Sequence, residues 1–166
     1  MNSRRVVRRM GPALFAREVE GAADASKLRI TVVCARWNPT ITDALLSSAL
    51  GALSERGARP GNVTVVRIPG AFELPAACRL ALSSKSCDAV VALAAIVRGE
   101  TTHHEVLANS VGAALASLSS ETGRPVGFGL LTCETMDQAR ARTGKGAEAA
   151  EAAVEMANLR RQMRTT

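Results

Sequence analysis

The segment Arg98-Gly99-Glu100-Thr101-Thr102-His103 sets a glycine turn, two hydroxyls and an imidazole where a run of helical period begins. At such a junction the first backbone N–H groups of the helix lack intrahelical partners, and the positive end of the helix dipole adds to their field. A phosphate could therefore rest on the Glu100-Thr101 backbone, with the Glu100 side chain turned away. The same field favours a neutral His103, whose imidazole both donates and accepts protons near pH 7. The spacing equally fits a plain helix start, with Thr101 or Thr102 as the cap and both histidines solvated.

Three further segments carry unusual side chains. In IPGAFELP, Gly70 marks a turn and Glu73 stands beside Phe72 just ahead of an apolar helical stretch. Glu73 could cap that helix, or its carboxylate could accept hydrogen bonds from a polyol. In RWNP, Trp37 is the sole tryptophan and closely follows an apolar run. It could stack on a planar heterocycle, although core packing is the commoner fate of an indole in that setting. Phe128, inside a later apolar run, is open to the same two readings. In ARTGKG, Arg142 and Lys145 could both reach a phosphate, one as a bidentate fork and one as a point charge, or both could simply be solvated near a helix end.

The elements that must position these groups follow from hydropathy period. Runs rich in β-branched residues at 28–35, 63–68, 89–97 and 125–132 read as strands. Helical stretches at 42–56, 73–83, 105–119, 135–142 and 147–164 follow them, with Gly57, Gly123 and Gly144 as stop signals. Strand and helix thus alternate four times before a final helix. Nearly continuous apolar strands imply cover on both faces, hence a three-layer α/β/α sandwich around a parallel sheet with right-handed crossovers. In such sheets ligands bind at the carboxyl ends of the strands, where the loops named above converge. The loop at Cys133-Glu134 is the fourth of that set.

Composition sets the outer bounds. With 166 residues and 47% apolar content, the chain supports one core. Residues 27–166 read as the domain and residues 1–26, which lack sustained periodicity, as a partly disordered arm. No apolar run approaches the roughly 20 residues that span a bilayer, and no signal-peptide core follows the basic start, so the expected location is the cytoplasm. Cys34, Cys78, Cys87 and Cys133 are scattered singly, and no metal site is implied. Cys34, Cys78 and Cys133 read as small buried hydrophobes. The net charge of +6 arises mostly from Arg4, Arg5, Arg8 and Arg9. Such an arm could touch a phosphate backbone, but 2% aromatic content with no tyrosine argues against a nucleic-acid stacking surface.

Taken in order, RWNPTITDALL, VRIPGAFELP, AAIVRGETTHHEV, GFGLLTCETMDQARAR and KGAEAAEAAVEMANL resemble the successive signature segments of the lumazine synthase family, over about residues 28–162. The resemblance implies a flavodoxin-like four-stranded parallel sheet and an enzyme of riboflavin biosynthesis. That enzyme condenses 5-amino-6-(D-ribitylamino)uracil with 3,4-dihydroxy-2-butanone 4-phosphate, without metal or organic cofactor. By resemblance, Trp37 stacks on the pyrimidine, Ala71, Phe72 and Glu73 line the ribityl and ring site, and Asn38 assists there. Ala95, Ile96, Val97 and Phe128 make further pyrimidine contacts, Phe128 from a neighbouring subunit. Glu100, Thr101 and Arg142 match phosphate-binding positions, and His103 matches the proton-transfer residue.

In one place the chain departs from that pattern. Relatives carry a longer link, with an asparagine before the Lys-Gly pair, whereas here Arg142-Thr143-Gly144 runs directly into Lys145-Gly146. Arg142 is therefore the firmer phosphate ligand of the two. The resemblance also implies a homopentamer with sites between subunits, and an N-terminal segment that adds to a neighbour's sheet. It leaves open whether twelve pentamers close into an icosahedral shell. Riboflavin synthase, which consumes the product, is the candidate protein partner. A shell protein that binds flavin or lumazine without turnover is the competing function. A generic nucleotide-binding module of the same fold would need a phosphate-binding glycine motif after the first strand, where RWNPTIT stands instead.

Overall fold

The computed structural model describes residues 17–164. Its elements are β1 (Ile30–Ala35), α1 (Pro39–Glu55), β2 (Val63–Ile68), a 3-10 turn (Ala71–Glu73), α2 (Leu74–Ser83), β3 (Ala89–Val97), α3 (His103–Thr122), β4 (Val126–Cys133), α4 (Met136–Arg140) and α5 (Lys145–Arg164). The four strands are all parallel and stand in the order β2-β1-β3-β4. The chain builds outward from β1 to β2 and then crosses to β3 on the other side, so the switch point falls between β1 and β3.

Side chains of β1 and β3 alternate between two apolar layers, as a period of two requires. Val32, Cys34, Val91 and Leu93 join Leu45 of α1 and Val154 of α5 on one face. Val33, Ala35, Val90 and Ala92 join Cys78 of α2 and Leu115 of α3 on the other. Each fully buried Val, Leu or Ile in these layers contributes on the order of 1.5–3 kcal/mol through lost water contact. The three-layer sandwich is therefore the observed architecture.

Cover on both faces is only partial at the edge strand β2: Thr64, Val65 and Arg67 are exposed, while Val63 and Val66 pack against the two core layers and Ile68 is buried. The β2 and β3 bounds fall where the β-branched runs put them, while β1 starts two residues later and β4 is shifted by one.

Helix starts moved further. α1 begins at Pro39, whose fixed φ suits a first helical position, immediately after Asn38 in the left-handed region (φ 57°, ψ 56°). α3 begins at His103, and it ends on Gly123 at φ 59°, a conformation that costs a glycine little. Gly144 is not the stop of α4, which ends at Arg140; a series of tight turns carries the chain straight into α5, whose first residue is Lys145.

α5 lies very close to its neighbours because the seam is made of small residues. A Cβ at Gly146 would collide with the Leu45 carbonyl of α1, and one at Gly127 of β4 would collide with the Ala149 carbonyl of α5. Residues 17–28 carry no helix or strand but lie along α5. Asn158 donates its side-chain amide to the carbonyls of Ala22 and Asp24 at 2.7 and 2.8 Å, while Ala25 and Leu28 are buried. The arginines of the N-terminal arm, Arg4 to Arg9, lie outside the described residues. No helix among the described residues is long and apolar enough to cross a membrane.

Candidate active site

A cleft of about 530 Å³ opens at the carboxyl ends of β1 and β3, bounded by the loop after β2 and the start of α3. It sits at the switch point, where parallel α/β sheets bind their ligands. Ala71, Ala95 and Ile96 are buried and give it an apolar floor, with half-buried Val97 at its margin.

Trp37 and Phe72 also line the cleft and are 72% and 69% exposed. Core packing is thus not the role of Trp37. Two residues beyond the end of β1 at Ala35, the indole stands on the rim next to the left-handed Asn38 that precedes α1. Two aromatic faces at a cleft mouth can hold a flat ring between or beside them.

Two polar residues are committed to shaping the cleft. Asn38 Nδ2 donates to the Ala95 carbonyl at 2.9 Å, tying the first loop to β3. Glu73 accepts the Gly70 N–H at 2.9 Å, so its carboxylate reaches back across the turn it follows while still lining the cleft. That bond closes the 3-10 turn, whereas Glu73 makes no side-chain cap to α2, and a carboxylate fixed in this way retains lone pairs for hydroxyl donors.

At the opposite wall, Thr101 and His103 line the cleft at the beginning of α3. The Thr101 hydroxyl accepts the His103 N–H at 3.4 Å, a weak local cap. Glu100 is exposed and does not line the cleft. His104 lines it as well, half-buried, with Nδ1 3.0 Å from the Thr101 carbonyl. The sequence assigns a role to His103 alone, and the doubled imidazole is the only signal that points to His104.

Phe128, Arg142 and Lys145 are not part of this cleft. They line a second hollow of about 510 Å³ on the outer side of β4, and among the described residues the two linings have no member in common. Phe128 is 54% exposed there. Arg142 donates to the Gln138 carbonyl at 2.9 Å, and Lys145 pairs with Glu148 at 2.6 Å. β4 is the other edge strand of the sheet, so these side chains face outward from a border that a second chain can approach.

An ion pair missed by the sequence reading joins the two loops beside these sites. Arg98 after β3 and Glu134 after β4 meet at 2.9 Å. The hydrogen bond from Arg98, reinforced by its charge, holds the Glu134 carboxyl below the ordinary carboxylate range. All four cysteines are free and buried. Burial raises the Cys34 thiol pKa, partly offset by Arg67, whose guanidinium lies 3.0 Å from the sulfur. Burial pushes the Cys78 thiol up to about 12.

The sequence model of the 6,7-dimethyl-8-ribityllumazine synthase family matches residues 27–161. Proteins described as 6,7-dimethyl-8-ribityllumazine synthase from Desulfotalea psychrophila and Kosmotoga olearia are 43% and 41% identical to the chain. The matched regions cover 85% and 89% of this chain and 94% and 97% of those relatives. One from Anaeromyxobacter sp. is 44% identical over 86% of this chain and 91% of its own length.

Proposed function

The chain belongs to the 6,7-dimethyl-8-ribityllumazine synthase family, and from that premise we propose that it condenses 5-amino-6-(D-ribitylamino)uracil with 3,4-dihydroxy-2-butanone 4-phosphate. The enzyme is a transferase of riboflavin biosynthesis. The observation that carries the residue assignments is the cleft itself: two exposed aromatics and a tethered carboxylate on one side, a helix start with an imidazole on the other.

In this reading the pyrimidine ring lies against Trp37 and Phe72, above the floor formed by Ala71, Ala95 and Ile96, with Val97 at its edge. Glu73 accepts hydrogen bonds from the ribityl hydroxyls. Asn38 holds the first loop through one amide hydrogen on the Ala95 carbonyl and, lining the cleft, keeps its second amide hydrogen and its carbonyl oxygen for the substrate. The phosphate sits at the start of α3, against the backbone from Thr101, the residue of the Glu100-Thr101 pair that lines the cleft.

The exocyclic amine attacks the butanone carbonyl, and loss of one water leaves an imine. Elimination then expels phosphate, tautomerisation generates the second carbonyl, and attack by the ribitylamino nitrogen closes the ring with loss of a second water. His103 relays the protons. Holding two reactants in one geometry removes an entropic barrier that can amount to roughly 7–11 kcal/mol, so the protein need contribute little covalent chemistry.

Phe128 and Arg142 complete the site from an adjacent subunit. Their place on the outer border of β4, away from the cleft of their own chain, supports that assignment. The assembly is then a homopentamer with its sites at subunit boundaries. Of the two cations, Arg142 is the phosphate ligand, and Lys145 is held back by Glu148.

Incubating the protein with both substrates and following lumazine absorbance tests the reaction. Product formation is expected. Tight binding of lumazine or flavin with no turnover would establish the shell-protein reading instead. Light scattering measures the assembly, and a monomer that remains active would overturn the shared site.

A further inference from the structure

Two imidazoles stand side by side at the start of α3, and the reaction above uses only the first. The side chain of His104 is only 17% exposed and lines the cleft, with Nδ1 3.0 Å from the Thr101 carbonyl oxygen. A carbonyl oxygen can only accept, so Nδ1 carries the hydrogen. The Thr101 carbonyl has use for that donor, because the Glu105 N–H, four residues on, bonds Thr102 O at 3.0 Å instead. Val106 N–H goes to Thr102 O as well, at 3.4 Å.

The Thr101 carbonyl and the Thr102 N–H belong to one planar peptide unit. Holding the first therefore fixes the direction of the second, which is among the N–H groups left free of the helical ladder where α3 begins. We propose that His104 is a positioning residue for the phosphate-bearing substrate: its Nδ1–H locks the Thr101-Thr102 peptide, and so fixes the helix start that receives the anion. The inference rests on the function proposed above and adds to it a residue that does not itself transfer protons. Near the ring lie the Glu105 carboxylate, 3.9 Å from Nε2, and the Arg98–Glu134 pair. None of these supplies the Thr101 carbonyl with a hydrogen.

The test compares His104→Phe, His104→Asn and His104→Gln with the unaltered protein. An asparagine amide occupies the level of Nδ1, whereas a glutamine amide reaches the level of Nε2. Calorimetry with inorganic phosphate and steady-state KM values for each substrate are the readouts. His104→Phe is expected to weaken phosphate binding, and raise KM for the butanone phosphate, by about tenfold, the effect of losing one hydrogen bond that orders a charged site. KM for the pyrimidine should stay within about twofold. His104→Asn should recover most of the loss and His104→Gln should not. Unchanged phosphate affinity in folded His104→Phe overturns the proposal, as does equal damage to both substrates without asparagine rescue. Should His104→Phe fail to fold, the asparagine and glutamine variants still decide, since equal phosphate affinity in those two also overturns it. Absence of turnover in the unaltered protein would sink the assigned reaction, whereas the phosphate titration judges His104 independently.

Discussion

Asn38 and Ala95 are 57 residues apart in the chain, yet the side-chain amide of the first donates to the backbone carbonyl of the second at 2.9 Å. The bond crosses the switch point between β1 and β3. It holds the only tryptophan of the chain at the rim, because Trp37 directly precedes the residue that makes the tether.

Asn38→Gly keeps the left-handed backbone and deletes the amide. It should lower kcat/KM by about tenfold through loosening of the Trp37 loop. Stability should fall by about 1–3 kcal/mol, the cost of leaving the Ala95 carbonyl without its donor. Kinetics and urea denaturation measured on the same preparation check both; a loss of stability with unchanged kinetics would show that the tether has no bearing on the site.

Trp37→Ala and His103→Ala should separate binding from chemistry. Truncating the exposed indole is expected to raise KM for the pyrimidine by roughly three- to tenfold, the equivalent of 0.5–1.5 kcal/mol of stacking, with little change in thermal stability. His103→Ala should lower kcat by about 10²-fold without abolishing turnover, since approximation of the substrates persists. An unchanged rate with substrate binding intact would remove His103 from proton transfer.

The Cys78 thiol provides a test at alkaline pH. Its folded pKa is raised from 9.0 to about 12, first by burial and then by Cys87. The folded state therefore favours the protonated thiol. The associated stability is fully present below pH 9 and declines between 9 and about 12, by on the order of 1.4 kcal/mol per pH unit at most. Cys78→Ala should flatten that part of the stability profile. In the native protein the thiol should resist alkylation at pH 9, and prompt native-state labelling of this residue would contradict its placement.

Gly146→Ala should destabilise the protein by about 1–3 kcal/mol, because the added methyl must push α5 away from the Leu45 backbone. Gly144→Ala, two residues earlier, meets open space and should change little. Chemical denaturation of the pair isolates the close approach from general effects of alanine in this region.

How far sequence reached into the structure depended on what each signal encoded. β2 and β3 were readable to the residue because β-branched runs bounded by polar turns leave few alternatives. α1 starts three residues before the helical period at 42 indicates, although Pro39 is itself a first-turn signal. For Trp37, hydropathy alone favours the interior, since it rewards burying an indole and carries no record of a left-handed residue next to it, whereas the family resemblance sets the ring against the pyrimidine. The cleft-lining roles of Trp37, Phe72, Glu73, Thr101 and His103 were reachable from loop position. The separation of Phe128, Arg142 and Lys145 was not legible from period or charge, because it depends on which side of β4 each faces. Tethers such as Asn38 to Ala95 and His104 to Thr101 join side chains to backbone and leave no pattern in a hydropathy profile.

The short passage from α4 into α5 gives Lys145 an unusual footing. A cation carried on a loop can be re-aimed by a few torsions at low energy. This one rides on the opening turn of a twenty-residue rod whose small residues are pressed against α1 and β4. Its backbone can be redirected only by shifting the whole rod against those neighbours, leaving the lysine's own four-carbon stem as its sole means of reach.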